Sequence, residues 1–205
     1  MSETIVVTGA SGFIAKHIIA ELLRRGFAVR GTIRDPAKSA SVARAVEKAG
    51  ASSAQLSFAV ADLNANHGWD EALKGAKFAV HSASPFPMEQ PSVADDLIRP
   101  AREGTLRVLR AAHRASVQRV VFTSSTVAVM YPPGYARDNV FSEADFTDEN
   151  TRGLTPYIRS KTIAEKAAWD FVQATPGAPQ LAAINPGFVQ GPALDADLST
   201  SHELY

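Results

Sequence analysis

IVVTGASGFIA, residues 5–15, joins a short apolar segment to a glycine-containing turn and then to residues of helical periodicity. Its glycine spacing, Gly-x-x-Gly-x-x-Ala, is a variant of the fingerprint by which a strand and a helix bind a dinucleotide. Gly9 permits the tight turn, Gly12 lets the backbone approach a pyrophosphate at the helix N-terminus, and Ala15 allows close packing of helix on sheet. An ordinary glycine-rich turn is the alternative, and the pattern farther along the chain favours the dinucleotide site.

Six apolar segments alternate with longer segments of helical periodicity. They are rich in Val, Ile, Ala and Phe with little polar alternation, which is typical of strands covered on both faces. The predicted strands are Thr4–Thr8, Phe27–Ile33, Gln55–Val60, Lys77–His81, Arg119–Thr123 and Gln180–Ile184. Such alternation predicts right-handed βαβ connections and an α/β fold with a doubly wound parallel sheet of the Rossmann type.

Helices are predicted between these strands. The first follows Gly12 and ends at Gly26, and the others are Ala37–Ala49, His67–Leu73, Asp95–Ala115 and Tyr157–Ala174. In the fourth, Pro100 predicts a kink or a late start. The arginines of that helix suit either an anion site or a solvated face, and the solvated face is favoured. The long loop Thr126–Thr155 is expected to carry function.

The end of the second strand bears on the choice of dinucleotide. An acidic residue there binds the ribose 2′-hydroxyl of NAD, whereas this chain has Arg34 there and Lys38 four residues later. An arginine forms charge-assisted hydrogen bonds with the 2′-phosphate of NADP, so we expect NADP(H). A shift of one residue would place Asp35 there and restore an NAD-type acid. After the third strand, Asp62 meets the adenine or forms a plain turn.

Tyr157 and Lys161 are four residues apart and therefore share one face of the last predicted helix. The strand before it, RVVFTSS at residues 119–125, delivers hydroxyl groups to the edge where a doubly wound sheet binds ligands. An ammonium beside a tyrosine lowers the pKa of the phenol from about 10 toward neutrality. Ser125 would hold a substrate carbonyl oxygen against Tyr157. A surface Tyr-Lys pair is the alternative. The loop NPGFVQGP, residues 185–192, either holds the carboxamide of the nicotinamide or is a simple turn.

These segments together resemble the extended short-chain dehydrogenase/reductase family, in particular its branch of dihydroflavonol, cinnamoyl-CoA and NADPH-dependent aldehyde and ketone reductases. The resemblance implies that NADPH reduces a small-molecule carbonyl to an alcohol. It also implies that Ser125, Tyr157 and Lys161 are catalytic, and that residues 81–86 pass near the nicotinamide. The residues expected to bind the cofactor are Thr8, Gly9, Ser11, Gly12, Phe13, Ile14, Arg34, Lys38, Asp62, Leu63, Ala83, Ser84, Thr123, Tyr157, Lys161, Pro186, Gly187 and Val189.

Two other functions fit the same fold. An epimerase or dehydratase of nucleotide sugars would hold its cofactor as NAD, and Arg34 together with the HSASP segment at residues 81–85 counts against it. A non-catalytic NADP sensor has no need of the Tyr157 and Lys161 pair.

Composition excludes several classes of site and partner. The 21 Lys and Arg residues balance the 21 Asp and Glu residues, which argues against a nucleic-acid or membrane-surface partner. No cysteine is present, so disulfides and thiolate metal sites are excluded. We predict no metal and no membrane-spanning segment, and a cytoplasmic location fits.

The last residues bear on domain organisation. Thr200–Glu203 has the capping-box pattern of a helix start. Residues 1–192 are expected to form the dinucleotide-binding domain, and residues 193–205 to begin a substrate-binding region. Members of the resembled family are longer, so the rest of that region is expected to be missing from this chain. A monomer or a homodimer is expected.

Overall fold

A computed structural model describes residues 2–85, 91–134 and 140–196, so the predicted capping box lies outside the described residues. One sheet of six parallel strands, in the order β3-β2-β1-β4-β5-β6, forms the centre. The strands are β1 Thr4–Thr8, β2 Ala28–Ile33, β3 Leu56–Val60, β4 Phe78–His81, β5 Arg119–Thr123 and β6 Gln180–Ile184. This order is the doubly wound Rossmann arrangement that the sequence predicts.

The helices are α1 Phe13–Arg24, α2 Ser39–Lys48, α3 Trp69–Leu73, α4 Asp95–Arg114 and α5 Pro156–Ala174. Alternate residues of β1 face the two sides of the sheet. Val6 packs in a core with α3, α4 and α5, whereas Val7 packs in a second core with α1 and α2. Both valines are fully buried, because a parallel sheet with helices on both faces leaves its central strand no exposed side.

The strand order reverses between β1 and β4. Thr8 at the end of β1 lies beside His81 at the end of β4, and Thr123 at the end of β5 lies beside Ile184 at the end of β6. A crevice opens at such a reversal, outside the carboxyl ends of the strands. The fold therefore brings the loops after β1, β2, β4, β5 and β6 to one edge.

Three of the six strands have the predicted bounds, and the other elements differ by one to three residues. A 3-10 turn at Pro36–Lys38 precedes α2, and the left-handed Gly68 delays α3 until Trp69. α4 begins at Asp95, as predicted, and continues through Pro100, so of the two effects considered for Pro100, a kink or a late start, the late start does not occur. Proline removes one donor near the helix start, and the acidic first turn favours the helix dipole.

None of the helices in the described ranges has both the length and the apolar character that a membrane crossing requires.

Candidate functional site

The glycine turn after β1 provides a close backbone approach. Gly9 has φ +68°, and a Cβ there would lie 3.0 Å from Ala83. Gly12 is the extended N-cap of α1, and its N–H donates to the Gly9 carbonyl at 2.8 Å. Gly12 makes no side-chain cap, and together with Gly9 and Ser11 it brings the start of α1 to the cleft.

Sequence reasoning missed a third glycine, Gly31 in β2. A Cβ at Gly31 would lie 2.6 Å from the Ala10 side chain, so only glycine lets the turn pack against β2. The neighbouring Thr32 fixes the same turn. Its side-chain oxygen accepts from Gly9 N–H at 3.1 Å, and its carbonyl accepts from Ala10 N–H at 2.8 Å. The signal was a Gly-Thr pair directly before the last residue of β2.

Thr8 ties the loop after β4 to the glycine turn. Its hydroxyl oxygen accepts from Ala83 N–H at 3.0 Å, and its carbonyl accepts from the Ser82 hydroxyl at 2.7 Å. Residues 82–85 therefore run alongside the glycine turn.

A cleft of about 530 Å³ lies between these loops. Eight of the predicted cofactor residues line it: Gly9, Ser11, Gly12, Arg34, Asp62, Leu63, Ala83 and Ser84. Ser82 and Pro85, from the segment expected to pass near the cofactor, also line it. The sequence did not predict the lining residues Thr32, Ile33, Ala61, Asn64, Trp69, Pro91, Asp96, Leu97 and Pro100. Several of them belong to the first turns of α4, whose approach to the cleft depends on the tertiary packing.

Arg34 directly follows β2 and is exposed at the cleft. The carboxylate of Asp35 accepts from Ala37 N–H at 2.9 Å and thus caps the 3-10 turn. Lys38, at the end of that turn, is also exposed. Of the two neighbours considered for the 2′-position, Arg34 lines the cleft, while the Asp35 carboxylate is engaged by its own turn.

Asp62 and Leu63 form a turn that α4 holds in place. Asp62 Oδ1 accepts from Asn64 N–H at 2.8 Å, and Arg107 donates to the Leu63 carbonyl at 2.7 Å. The Leu63 side chain packs against Gly104 of α4, where a Cβ would approach within 2.8 Å. The pair forms a turn and lines the cleft, and contact of Asp62 with the adenine stays a prediction.

Ser125, Tyr157 and Lys161 come together beyond the carboxyl end of β5. The hydroxyls of Ser125 and Tyr157 are hydrogen-bonded. Lys161 Nζ lies 5.9 Å from the centroid of the Tyr157 ring, one helical turn along α5. Ser125 and Lys161 are buried, with 7% and 6% of their surface exposed. Thr123, the last residue of β5, and Ser124 precede this cluster.

Burial controls both ionisable groups of the cluster. It raises the pKa of Tyr157, and the hydrogen bond with Ser125 opposes this rise only in part. The predicted lowering of the Tyr157 pKa by Lys161 is therefore not the direction found in the protein. Burial also lowers the pKa of Lys161 to about 8, although Glu165 raises it. At neutral pH the tyrosine keeps its proton and the lysine remains mostly charged.

His81, at the end of β4, is buried beside this cluster. Its Nδ1 and Thr8 Oγ1 are 2.8 Å apart, and its ring stacks on Phe122 with 5.5 Å between centroids. Burial, followed by the charge of Lys161, lowers the pKa of His81 to about 3. The imidazole is therefore neutral at physiological pH.

The loop after β6 closes the edge of the cluster. The Pro186 carbonyl accepts from Thr126 N–H at 3.0 Å, and the Asn185 side chain donates to the Ser125 carbonyl at 3.1 Å. Gly187 is exposed and Val189 is half-buried. The long loop before α5 folds back on itself, since Thr147 binds the backbone at residues 127 and 128.

The residues around the cleft fit a dinucleotide. A pyrophosphate can approach the backbone at Gly9 and Gly12, at the N-terminus of α1. The exposed guanidinium of Arg34 can bind a 2′-phosphate. Within the described ranges, no cluster of three or more His, Asp or Glu side chains could hold a metal ion.

Comparison with known proteins gives consistent matches. The family model described as "NAD dependent epimerase/dehydratase family" matches residues 5–197. Cinnamoyl-CoA reductase CAD2 from Medicago truncatula is 36% identical over 98% of this chain and 62% of its own length. Dihydroflavonol 4-reductase from Hordeum vulgare is 35% identical over 96% of this chain and 56% of its own length.

Solved structures agree in fold. Yeast methylglyoxal/isovaleraldehyde reductase Gre2, crystallised with NADPH, superposes with a TM-score of 0.83 at 30% identity. The superposition covers 98% of this chain and 64% of that chain. The present chain thus spans less than two thirds of the length of each of these proteins.

Proposed function

The chain belongs to the NAD dependent epimerase/dehydratase family. We propose that it is an NADPH-dependent oxidoreductase that reduces the carbonyl group of an aldehyde or ketone to an alcohol. The observation that carries the proposal is the cluster of the buried Ser125 and Lys161 with the half-buried Tyr157 beyond the carboxyl end of β5. The names of the relatives add support, since they describe reductases of cinnamoyl-CoA, dihydroflavonol and methylglyoxal.

In the proposed reaction, bound NADPH supplies the hydride. The Ser125 hydroxyl donates a hydrogen bond to the substrate carbonyl oxygen and holds that oxygen near Tyr157. Tyr157 gives its phenolic proton to the same oxygen, and its raised pKa keeps that proton in place beforehand. The charged Lys161, on the face of the Tyr157 ring, stabilises the negative charge that develops on the phenol oxygen.

The cofactor-binding role is proposed for the full predicted set. Thr8, Ala83 and Ser84 shape the loops, and Thr123, Pro186 and Val189 belong to strand ends and loops at the nicotinamide side. Arg34 favours NADP over NAD, because its guanidinium donates hydrogen bonds to the 2′-phosphate of NADP but has no acceptor for the ribose 2′-hydroxyl of NAD. An NAD-dependent epimerase is less well supported for this reason.

The domain boundaries and the oligomeric state are proposals that rest on the sequence. Residues 1–192 form the dinucleotide-binding unit, and residues 193–205 begin the substrate-binding region. We retain the cytoplasmic location and the monomer or homodimer as predictions.

The decisive experiment replaces Tyr157 with Phe. NADPH oxidation in the presence of aromatic aldehydes and ketones should fall at least a hundredfold, since a general acid contributes about 10²–10⁴-fold. The Kd for NADPH, measured by fluorescence titration, should stay within about threefold because the phenyl ring fills the same space. An unchanged rate in the folded variant would refute the role of Tyr157.

A further inference from the structure

Glu165 is a buried acid for which the proposed reaction has no role. It lies on α5 one turn beyond Lys161, so that Tyr157, Lys161 and Glu165 follow one another along a single helical face. Only 4% of its surface is exposed. A carboxyl group is costly to bury without hydrogen-bond or charge partners, so its surroundings define what it does.

Three donors from different parts of the chain meet this carboxylate. The Ser124 hydroxyl and the Asn185 side-chain amide donate to Oε2, the amide at 2.8 Å, and Trp169 Nε1 donates to Oε1 at 3.4 Å. Each of these contacts places a donor against a carboxylate oxygen, so the Glu165 side chain accepts all three hydrogen bonds. Asn185 also donates to the carbonyl of Ser125 at 3.1 Å. Glu165 thereby joins α5 to the ends of β5 and β6.

The charge of Glu165 acts on Lys161. Burial disfavours the ammonium of Lys161, and Glu165 raises its pKa against that effect. The other titratable groups that face Lys161 are His81 from β4 and Tyr157 from α5. Burial keeps both neutral near pH 7. Of these three neighbours, Glu165 is the one whose charge is opposite to that of Lys161.

We propose that Glu165 is a positioning residue of the site, which keeps the Lys161 ammonium charged beside Tyr157 and holds Ser125 in place through Ser124 and Asn185. Its catalytic significance rests on the proposed reductase function. The interaction between Glu165 and Lys161 does not depend on the reductase function and can be measured separately.

The test is a Glu165→Gln substitution, which removes the charge but leaves an oxygen to accept from Ser124 and Asn185. The protonation of Lys161 is followed by NMR of ¹³C-labelled lysine ε-carbons in the cofactor-free protein, with Lys161→Met to assign the signal. The Lys161 midpoint should fall by about 1 pH unit, the low end of the effect of an opposite charge, because the two residues are one helical turn apart. Glu21→Gln is the control, because Glu21 is an exposed acid paired with Arg24 and Arg25.

Activity provides the second readout. Because the charged form of Lys161 is the active one, kcat of the wild type should decline as pH rises through the Lys161 midpoint. In Glu165→Gln this decline should begin at a lower pH, whereas Glu21→Gln should keep the wild-type profile. Ser124→Ala should lower kcat without moving the midpoint, since it removes a hydrogen bond and no charge.

Unchanged Lys161 midpoints in a folded Glu165→Gln protein would overturn the inference, even if reductase activity is found. Absence of reductase activity in the wild type would instead contradict the proposed function and leave the NMR result standing. If Glu165→Gln does not fold, Glu165→Asp replaces it. Its shorter side chain withdraws the carboxylate from Lys161, so the midpoint should fall by a smaller amount, and an unchanged midpoint would again refute the proposal.

Discussion

At the scale of single residues, the position of Arg34 is what supports its proposed role in the choice of cofactor. β2 ends at Ile33, so the next side chain enters the cleft, and that residue is Arg34. Asp35, one residue later, caps Ala37 instead. Arg34 and Asp35 are neighbours in the sequence, but only Arg34 lines the cleft, while Asp35 caps the following turn.

Arg34→Ala should weaken NADPH binding by about 10- to 100-fold, because a hydrogen bond to a charged group contributes about 1.5–3 kcal/mol. The Kd for NADH should change less than about threefold, since NADH lacks the 2′-phosphate. Fluorescence titration of both cofactors measures this, with Arg110→Ala as the control because Arg110 is exposed on α4. Equal losses for the two cofactors would contradict the assignment.

The residue scale also marks where sequence reasoning ends. The spacing of Tyr157 and Lys161 placed them on one helical face, and the fold brings Ser125 to them. Glu165 continues the same spacing, yet its role depends on Asn185, which reaches it from a loop 20 positions away. The prediction that the Tyr157 pKa is lowered was wrong for a similar reason: burial raises this pKa, and burial depends on the tertiary structure.

At the scale of elements, the parallel sheet was the easiest part to predict. Strands covered on both faces are apolar throughout, and Thr4–Thr8, Arg119–Thr123 and Gln180–Ile184 were predicted with the bounds that the structure has. Local signals at helix starts are weaker, since Pro100 suggested a late start that the acidic turn before it overrides. The contacts between α1 and the segment after β6 had no sequence signal.

These contacts include an ion pair between Lys16 of α1 and Asp195. Lys16 Nζ donates to both carboxylate oxygens at 2.5 and 2.6 Å, and the side chains are 2% and 25% exposed. His17 Nε2 also lies 3.1 Å from the Pro192 carbonyl. The pair therefore anchors residues 192–195, at the end of the loop of residues 185–192, to α1.

The unequal burial predicts unequal costs for the two halves of this pair. Asp195→Asn leaves the buried Lys16 ammonium without its carboxylate and should lower the free energy of unfolding by about 3 kcal/mol. Lys16→Met should cost less, because the partly exposed Asp195 can be hydrated. Urea denaturation compares the two variants with Glu21→Gln, which should change stability by less than about 0.5 kcal/mol. The reverse order would show that the pair does not anchor this segment as described.

At the scale of the whole molecule, the arrangement separates two tasks. The lining of the cleft, from the glycine turn to the first turns of α4, lies within residues 9–100. The Ser125, Tyr157 and Lys161 cluster lies after β5 and on α5, in the second half of the chain. Although the chain spans 62% of the length of its cinnamoyl-CoA reductase relative, both halves of the sheet and the crevice between them are present.

The 205-residue chain should therefore bind NADPH by itself, whatever its turnover. A ligand that binds only the folded state at 100 times its Kd adds about 2.7 kcal/mol of stability. For a chain of this size, this corresponds to a rise in Tm of about 5–10 °C, because 1 kcal/mol shifts Tm by about 2–4 °C. NADH at the same concentration should give a smaller shift, and Arg34→Ala should remove the difference between the two cofactors. A chain that unfolds cooperatively but shows no shift with NADPH would mean that the cleft lacks part of its binding site.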